Sequence, residues 1–133
     1  MTPFTNQLST RRPAVAVIDD EPGVRKGLSR LLRAAEFDPR SYASAQEFFD
    51  SWELQPPDCV VVDLQMPGAS GMEVQMRLKC AGARFPVIVV TAHDEPEAHR
   101  RCLALGAVAY LCKPLDGEEL LEAIQAALSR RPC

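Results

Sequence analysis

The chain has 133 residues, a length that suits one domain built on one core. Apolar residues make up 47% and charged residues 25%, a globular balance that excludes a disordered or fibrous chain. A formal net charge of -3 gives no general basic character, so no direct nucleic-acid partner is expected of this chain, and the pairs Arg11/Arg12, Arg100/Arg101 and Arg130/Arg131 read as solvated faces.

Residues 1–13 are polar and end in Pro13, which predicts a loose N-terminal tail ahead of a domain spanning 14–130. From there, short Val- and Ile-rich runs alternate with stretches of helical period, the pattern of βα units around a parallel sheet. The first strand is predicted from Ala14 to Ile18 and the first helix from Pro22 to Ala35, with Val24, Leu28, Leu31, Leu32 and Ala35 on one face. A weak strand from Arg40 to Ala43 follows Pro39 and belongs at a sheet edge. Ser44 and Glu47 form a capping box for a second helix, which carries Phe48, Phe49 and Trp52 and stops before Pro56-Pro57.

Cys59 to Val62 and Val87 to Val90 are unbroken apolar runs, as central parallel strands covered on both faces require. Between them a helix is predicted over Gly71 to Ala81, with Val74, Leu78 and Ala81 inward and Gly82 at its end. Asp94 and Glu97 are expected to cap the fourth helix, which stops near Gly106. A fifth strand over Ala107 to Leu111 leads to a last helix opened by Asp116 and Glu119, with Leu120, Ile124, Ala127 and Leu128 facing inward.

Five cysteines, at 59, 80, 102, 112 and 133, form no CxxC pair and no zinc spacing. They read as free thiols of a reducing compartment, several of them small core side chains. No apolar run approaches the roughly 20 residues that span a bilayer, and MTPFTNQLSTRRP lacks the apolar stretch of a signal peptide. A cytoplasmic protein without a membrane partner is expected.

The polar residues fall at the carboxyl ends of the predicted strands: Asp19 and Asp20 after the first, Asp63 after the third, Thr91 after the fourth and Lys113 after the fifth. In an open parallel sheet that edge is where ligands bind, so these residues should converge. Two carboxylates about 4 Å apart repel by roughly 4 kcal/mol at an effective dielectric of 20, and three require a cation. Mg²⁺ suits hard oxygen donors, and no His or Cys joins the cluster to favour zinc. Asp20 and Asp63 are expected as direct ligands, Gln65 through its backbone carbonyl and Asp19 through a bound water. A carboxylate is also a nucleophile toward phosphorus, which makes Asp63 a phosphoryl acceptor, with Lys113 and the Thr91 hydroxyl contacting the phosphoryl oxygens. Taken singly, Asp19-Asp20 could be a solvated turn, Thr91 a helix-entry residue and Lys113 a surface amine.

The motifs IDDEP at 18–22, VVVDLQMPGASG at 60–71, VVTAH at 89–93 and CKP at 112–114 resemble the receiver domain of bacterial two-component response regulators, over nearly all of Ala14 to Leu128. VTAH is similar to receivers of the nitrogen-fixation regulator type. The resemblance implies a flavodoxin-like (βα)5 fold with strand order 2-1-3-4-5, and phosphorylation of Asp63 by a sensor histidine kinase or phosphotransfer protein. It implies slow self-dephosphorylation but no turnover of a substrate. It also implies a switch in which Thr91 moves toward the phosphoryl group and Tyr110 turns inward behind it, a cis Lys113-Pro114 peptide, and a partner or homodimer surface on helix 4 and strand 5 including Arg100, Arg101 and Tyr110. For Tyr110 a fixed, half-buried edge-strand aromatic is the other reading. Glu36 stands where such domains often end the first helix with Gly, and His93 borders the site beside Gln65, either tuning water attack or simply exposed.

A haloacid-dehalogenase-type phosphohydrolase would need a second Asp two residues after the nucleophile, where this chain has Gln65. A flavin or nucleotide binder would need a Gly- or Ser/Thr-rich loop after the first strand, where this chain has DDEPG. A degenerate, binding-only receiver is opposed by the presence of Asp19, Asp20, Asp63, Thr91 and Lys113 together. The residues after the last helix are too few for a helix-turn-helix output, which leaves open a stand-alone receiver or a piece of a longer regulator.

Overall fold

The structure is a computed structural model that describes residues 11–129. The expected tail at residues 1–10 and the expected domain end at 130, with Arg130/Arg131 and Cys133, lie outside the described residues. In chain order the elements are β1 (Ala14–Ile18), α1 (Pro22–Ala34), β2 (Asp38–Tyr42), α2 (Ala45–Ser51), β3 (Cys59–Asp63), α3 (Gly71–Cys80), β4 (Val87–Thr91), α4 (Pro96–Ala104), β5 (Ala109–Cys112) and α5 (Gly117–Ser129). The strands are parallel and ordered β2-β1-β3-β4-β5, the flavodoxin-like arrangement expected from the sequence.

Every residue of β1, β3 and β4 is buried, which explains why those runs are apolar without alternation. Successive side chains still point to opposite faces and so divide the core in two. Ala16, Ile18, Val60, Val62 and Val89 pack on Phe48 of α2, Val74 and Leu78 of α3, and Cys102 of α4. Val15, Val17, Val61, Ile88 and Val90 pack on Leu28 and Leu32 of α1 and on Leu120 and Ile124 of α5.

The predicted edge strand is an edge, but it starts at Asp38 rather than Arg40 and contains Pro39. An edge position tolerates a residue that lacks an N–H. β5 starts at Ala109, two residues later than expected, because Gly106 (φ 103) and the bond from Ala107 N–H to the Cys102 carbonyl still belong to the end of α4. α4 is capped by Glu95, not Asp94, without a side-chain cap bond; Pro96 follows, and a first-turn proline has no N–H to satisfy. Ala81, expected inward, is the exposed C-cap of α3. At α2 only half of the expected box forms: the Ser44 hydroxyl accepts from the Glu47 N–H, while Glu47 accepts from Ala43. A complete capping box sits instead at Ser70 and Glu73, which the sequence reading missed. Asp116 does open α5, accepting from the Glu118 N–H at 2.9 Å.

Cys59 and Cys102 are buried, and Cys80 and Cys112 are exposed. Among the described residues no helix is long and apolar enough to cross a membrane.

Candidate functional site

The strand order reverses between β1 and β3: the chain leaves β1 for the edge at β2 and returns to the far side of β1 as β3. Asp19 just beyond β1 and Asp63 at the end of β3 therefore meet in the crevice at that switch point. One carboxylate oxygen each from Asp19, Asp20 and Asp63 lie within 4.8 Å of one another. Asp19 is 1% and Asp63 5% exposed, whereas Asp20 faces solvent. The set consists of hard oxygen donors alone, with one open side, which fits a divalent cation such as Mg²⁺ and not zinc.

Lys113, delivered from the far edge by β5, is the local counter-charge. Its Nζ lies 2.9 Å from Asp19 Oδ2, 3.4 Å from Asp63 Oδ2 and 3.4 Å from Glu21 Oε1. Burial alone would push the Lys113 pKa down, but the hydrogen bond and charge of Asp19, then Asp63 and Glu21, outweigh it and hold the ammonium above its ordinary value. Lys113 N–H donates to the Thr91 carbonyl at 2.7 Å, and the Lys113-Pro114 peptide is cis, as the resemblance implied.

Asp63 is left in a conflicted position. Burial, and then repulsion from Asp19, raise its pKa, while Lys113 and the Gln65 N–H, 3.3 Å from Oδ1, only partly oppose them. Gln65 thus meets Asp63 through its amide N–H, and its side chain is exposed. Both Asp19 oxygens are already engaged, Oδ2 by Lys113 and Oδ1 by the Glu21 N–H at 2.9 Å.

Thr91 closes β4 and is fully buried, but its hydroxyl is turned to the following loop: it donates to the His93 carbonyl at 3.0 Å and accepts from the His93 N–H at 3.1 Å. Tyr110 lies in a second row. Its ring stacks on His99 of α4, with centroids 4.3 Å apart and planes 4° from parallel. Its hydroxyl is sealed from solvent and, among the described residues, no hydrogen bond of full geometry reaches it. The Glu95 N–H approaches without completing a bond, and burial raises the phenol pKa. His93 is exposed; Arg100 and Arg101 are exposed on α4, with Arg100 paired to Glu97 at 2.8 Å.

Three positioning features escaped the sequence reading. Glu21 reaches Lys113, and Arg25 of α1 donates from Nη1 to the Asp19 carbonyl at 2.7 Å. A Cβ on Gly71 would stand 3.0 Å from both the Asp63 carbonyl oxygen and Leu64 Cα, so a side chain there would have to push the backbone at the end of β3 aside by a few tenths of an ångström. The loop motif ending at Gly71 was the available signal; the close approach itself is a tertiary fact.

The fold and site are those of a doubly wound parallel-sheet domain with an acidic cluster and one lysine at its switch point. The pattern of the response regulator receiver domain matches residues 15–125, and the chain belongs to that family, the receiver domains of two-component systems. It is 33% identical over 125 residues to the response regulator protein TodT of Pseudomonas putida, covering 94% of this chain and 55% of that protein. It is 36% identical over 116 residues to the transcriptional regulatory protein FixJ of Azorhizobium caulinodans, covering 87% and 55%. Among solved structures, FixJ-N superposes with a TM-score of 0.85 at 29% identity, covering 92% of this chain and 98% of that one. The response regulator StyR gives 0.83 at 35% identity, covering 91% and 61%. The chain spans about half the length of the curated relatives it matches.

Proposed function

We propose that the unit expected over 14–130 receives a phosphoryl group on Asp63 from a histidine kinase or phosphotransfer protein. The observation that carries this reading is the buried Asp63 carboxylate flanked by Asp19, Asp20 and the Lys113 ammonium at the switch point of the sheet. In the transfer, an Asp63 oxygen forms a bond to phosphorus as the phosphorus–nitrogen bond of the donor imidazole breaks, and the imidazole leaves with the electron pair. Asp20, Asp63 and the Gln65 backbone carbonyl would hold Mg²⁺, with Asp19 acting through water because its own oxygens are engaged. Bound there, Mg²⁺ supplies positive charge to offset that of the acceptor and phosphoryl oxygens.

Lys113 has a second role. Its raised pKa keeps it charged at neutral pH, ready to leave Asp19 and Asp63 for a phosphoryl oxygen. Thr91 has to give up His93 to reach the same group, which makes the loop after β4 the first segment to feel phosphorylation. The exposed surface of α4 and β5, with Arg100 and Arg101 beside Tyr110, is the proposed output face for a partner or for phosphorylation-dependent pairing of two chains. No catalytic turnover follows beyond slow self-dephosphorylation, since no acid stands where Gln65 is.

Intact-mass analysis after incubation with acetyl phosphate and Mg²⁺ tests this. One phosphoryl mass is expected on the natural chain and none on Asp63→Asn. An unlabelled natural chain removes the reading; equal labelling of the variant moves it to another residue.

A further inference from the structure

We infer that the cleft between the C-terminal ends of α3 and α4, at the amino edge of the sheet, binds a small molecule with an apolar body, a carboxylate and a hydrogen-bond donor. The inference is independent of phosphoryl acceptance by Asp63, which stands at the opposite edge.

The cleft has a volume of about 370 Å³, within the range of small-molecule pockets. Its deepest residues are Gln75 and Leu78 of α3, with Val87 and Ala127, all buried. Phe85, Leu105 and Val108 are half-buried and extend the apolar wall, and Phe85 is held edge-on against Trp52 at 5.7 Å between centroids.

Gln75 is the anomaly in that apolar floor. It is 3% exposed, and its Nε2 donates to the Cys102 carbonyl at 3.0 Å. That carbonyl already accepts from the Ala107 N–H at 3.0 Å, so the end of α4 is satisfied without a glutamine. The other end of the amide, Oε1, is buried with no partner among the described residues. A buried acceptor left unpaired costs stability, and Leu or Met would fill the same volume without that cost, so packing alone does not account for Gln75. An N–H or O–H brought into the cleft would complete the amide after a slight turn of the side chain. At the rim the chemistry changes sign. Lys79, one turn beyond Gln75 on the same helix face, and Arg84 are both exposed there. Among the described residues no Asp or Glu lines the cleft, although acids outnumber bases 18 to 15 in the whole chain. Acceptor at the floor, apolar wall between and cations at the rim together select a donor at one end of the ligand and a carboxylate at the other.

The probe 3-(4-hydroxyphenyl)propanoate belongs to that class. Followed by amide and methyl NMR of the whole chain, it should bind with a Kd of about 1 mM or tighter and shift the Leu78, Leu105 and Val108 methyls and the Gln75 side-chain amide. The analogue 3-phenylpropanoate lacks the donor and should bind about 3- to 10-fold more weakly. Gln75→Leu should bind the two acids equally, a loss of discrimination that a merely structural glutamine would not produce. The double variant Lys79→Gln with Arg84→Gln should weaken the hydroxyl probe about 2- to 5-fold and remove the salt dependence of its binding. Both of its positions are exposed, so it keeps the test decisive if Gln75→Leu does not fold. Shifts absent from the cleft at about 10 mM probe or scattered over the surface, equal binding of the two acids by the natural chain, or an unchanged salt dependence in the charge variant would each overturn the site.

Discussion

The two edges of the sheet are built from the same strands and obey opposite rules. At the amino edge, polar groups are paired off: Asp38 N–H donates to the Pro13 carbonyl at 2.8 Å, Asp58 N–H to Ala14 at 2.8 Å and Val108 N–H to Val87 at 2.9 Å, and the Asp58 carboxylate accepts from the Ala14 N–H at 2.7 Å. At the carboxyl edge, the carboxylates of Asp19, Glu21 and Asp63 converge on the Lys113 ammonium, and Asp63 has its pKa raised by burial and repulsion. The amino edge and interior store stability; the carboxyl edge gives some up to hold like charges close together.

The largest test of that contrast lies in the interior. Phe48 is fully buried and packs edge-on to Tyr42 and Phe49 at 5.3 Å between centroids. Phe48→Ala should cost about 3–5 kcal/mol in urea unfolding, through lost burial and a cavity, by the same amount with or without Mg²⁺. Next comes Lys113→Met, which leaves Asp19 and Asp63 buried without their cation. A loss of about 3 kcal/mol is expected, the low end for breaking a buried pair because Asp20 and Glu21 open the site to water, and Mg²⁺ should restore part of it. If the Lys113 loss proves as metal-independent as the Phe48 loss, the two regions do not differ in kind.

Asp63→Asn should act in the opposite direction. In chelator, at neutral pH, it should stabilise the fold by about 1–2 kcal/mol, the scale of a poorly satisfied buried polar group, while abolishing phosphorylation. The sign with pH follows from the raised pKa: ionised Asp63 costs stability above its folded pKa, and that cost is absent below its ordinary 3.8. The advantage of the Asn variant should therefore shrink as pH falls through the folded pKa toward 3.8. Parallel thermal melts of the two chains would measure it, and an advantage that grows on acidification would contradict the conflict assigned to Asp63.

Legibility in the sequence divides along the same line. β1, β3 and β4 could be placed because burial on both faces demands unbroken apolar runs, and the site could be assembled because parallel strands deliver their carboxyl ends to one edge. The start of β5 was misplaced because Ala107 and Val108 are apolar yet close the turn after α4, where backbone geometry rather than side-chain pattern decides. Glu95 displaced Asp94 as the cap because the proline after it sets the helix entry. The stack of His99 on Tyr110, the reach of Glu21 and the tight fit of Gly71 depend on which elements become neighbours, and no local pattern encodes that.

The smallest expected effect concerns three helices that end alike. α1, α3 and α4 each close with a residue at positive φ whose N–H, with the next, bonds back to the last turn: Glu36 (φ 69), Gly82 (φ 76) and Gly106 (φ 103). At α1 the bonds are intact, Glu36 N–H to Arg33 at 3.0 Å and Phe37 N–H to Leu32 at 2.9 Å, and Phe37 is buried behind them. The geometry is that of a glycine, but the residue carries a Cβ, which disfavours the left-handed region by about 1–2 kcal/mol. Glycine would remove that strain but widen the freedom of the unfolded chain, a loss of about 0.4–1 kcal/mol. Glu36→Gly should therefore stabilise the protein by at most about 1.6 kcal/mol, visible as a small rise in the urea midpoint at unchanged m-value. Glu36 is exposed and lies outside the acidic cluster, so the gain should be the same with Mg²⁺ and in chelator. A gain that appeared in only one of the two would mean that the end of α1 is coupled to the carboxyl edge through the helix that also carries Arg25.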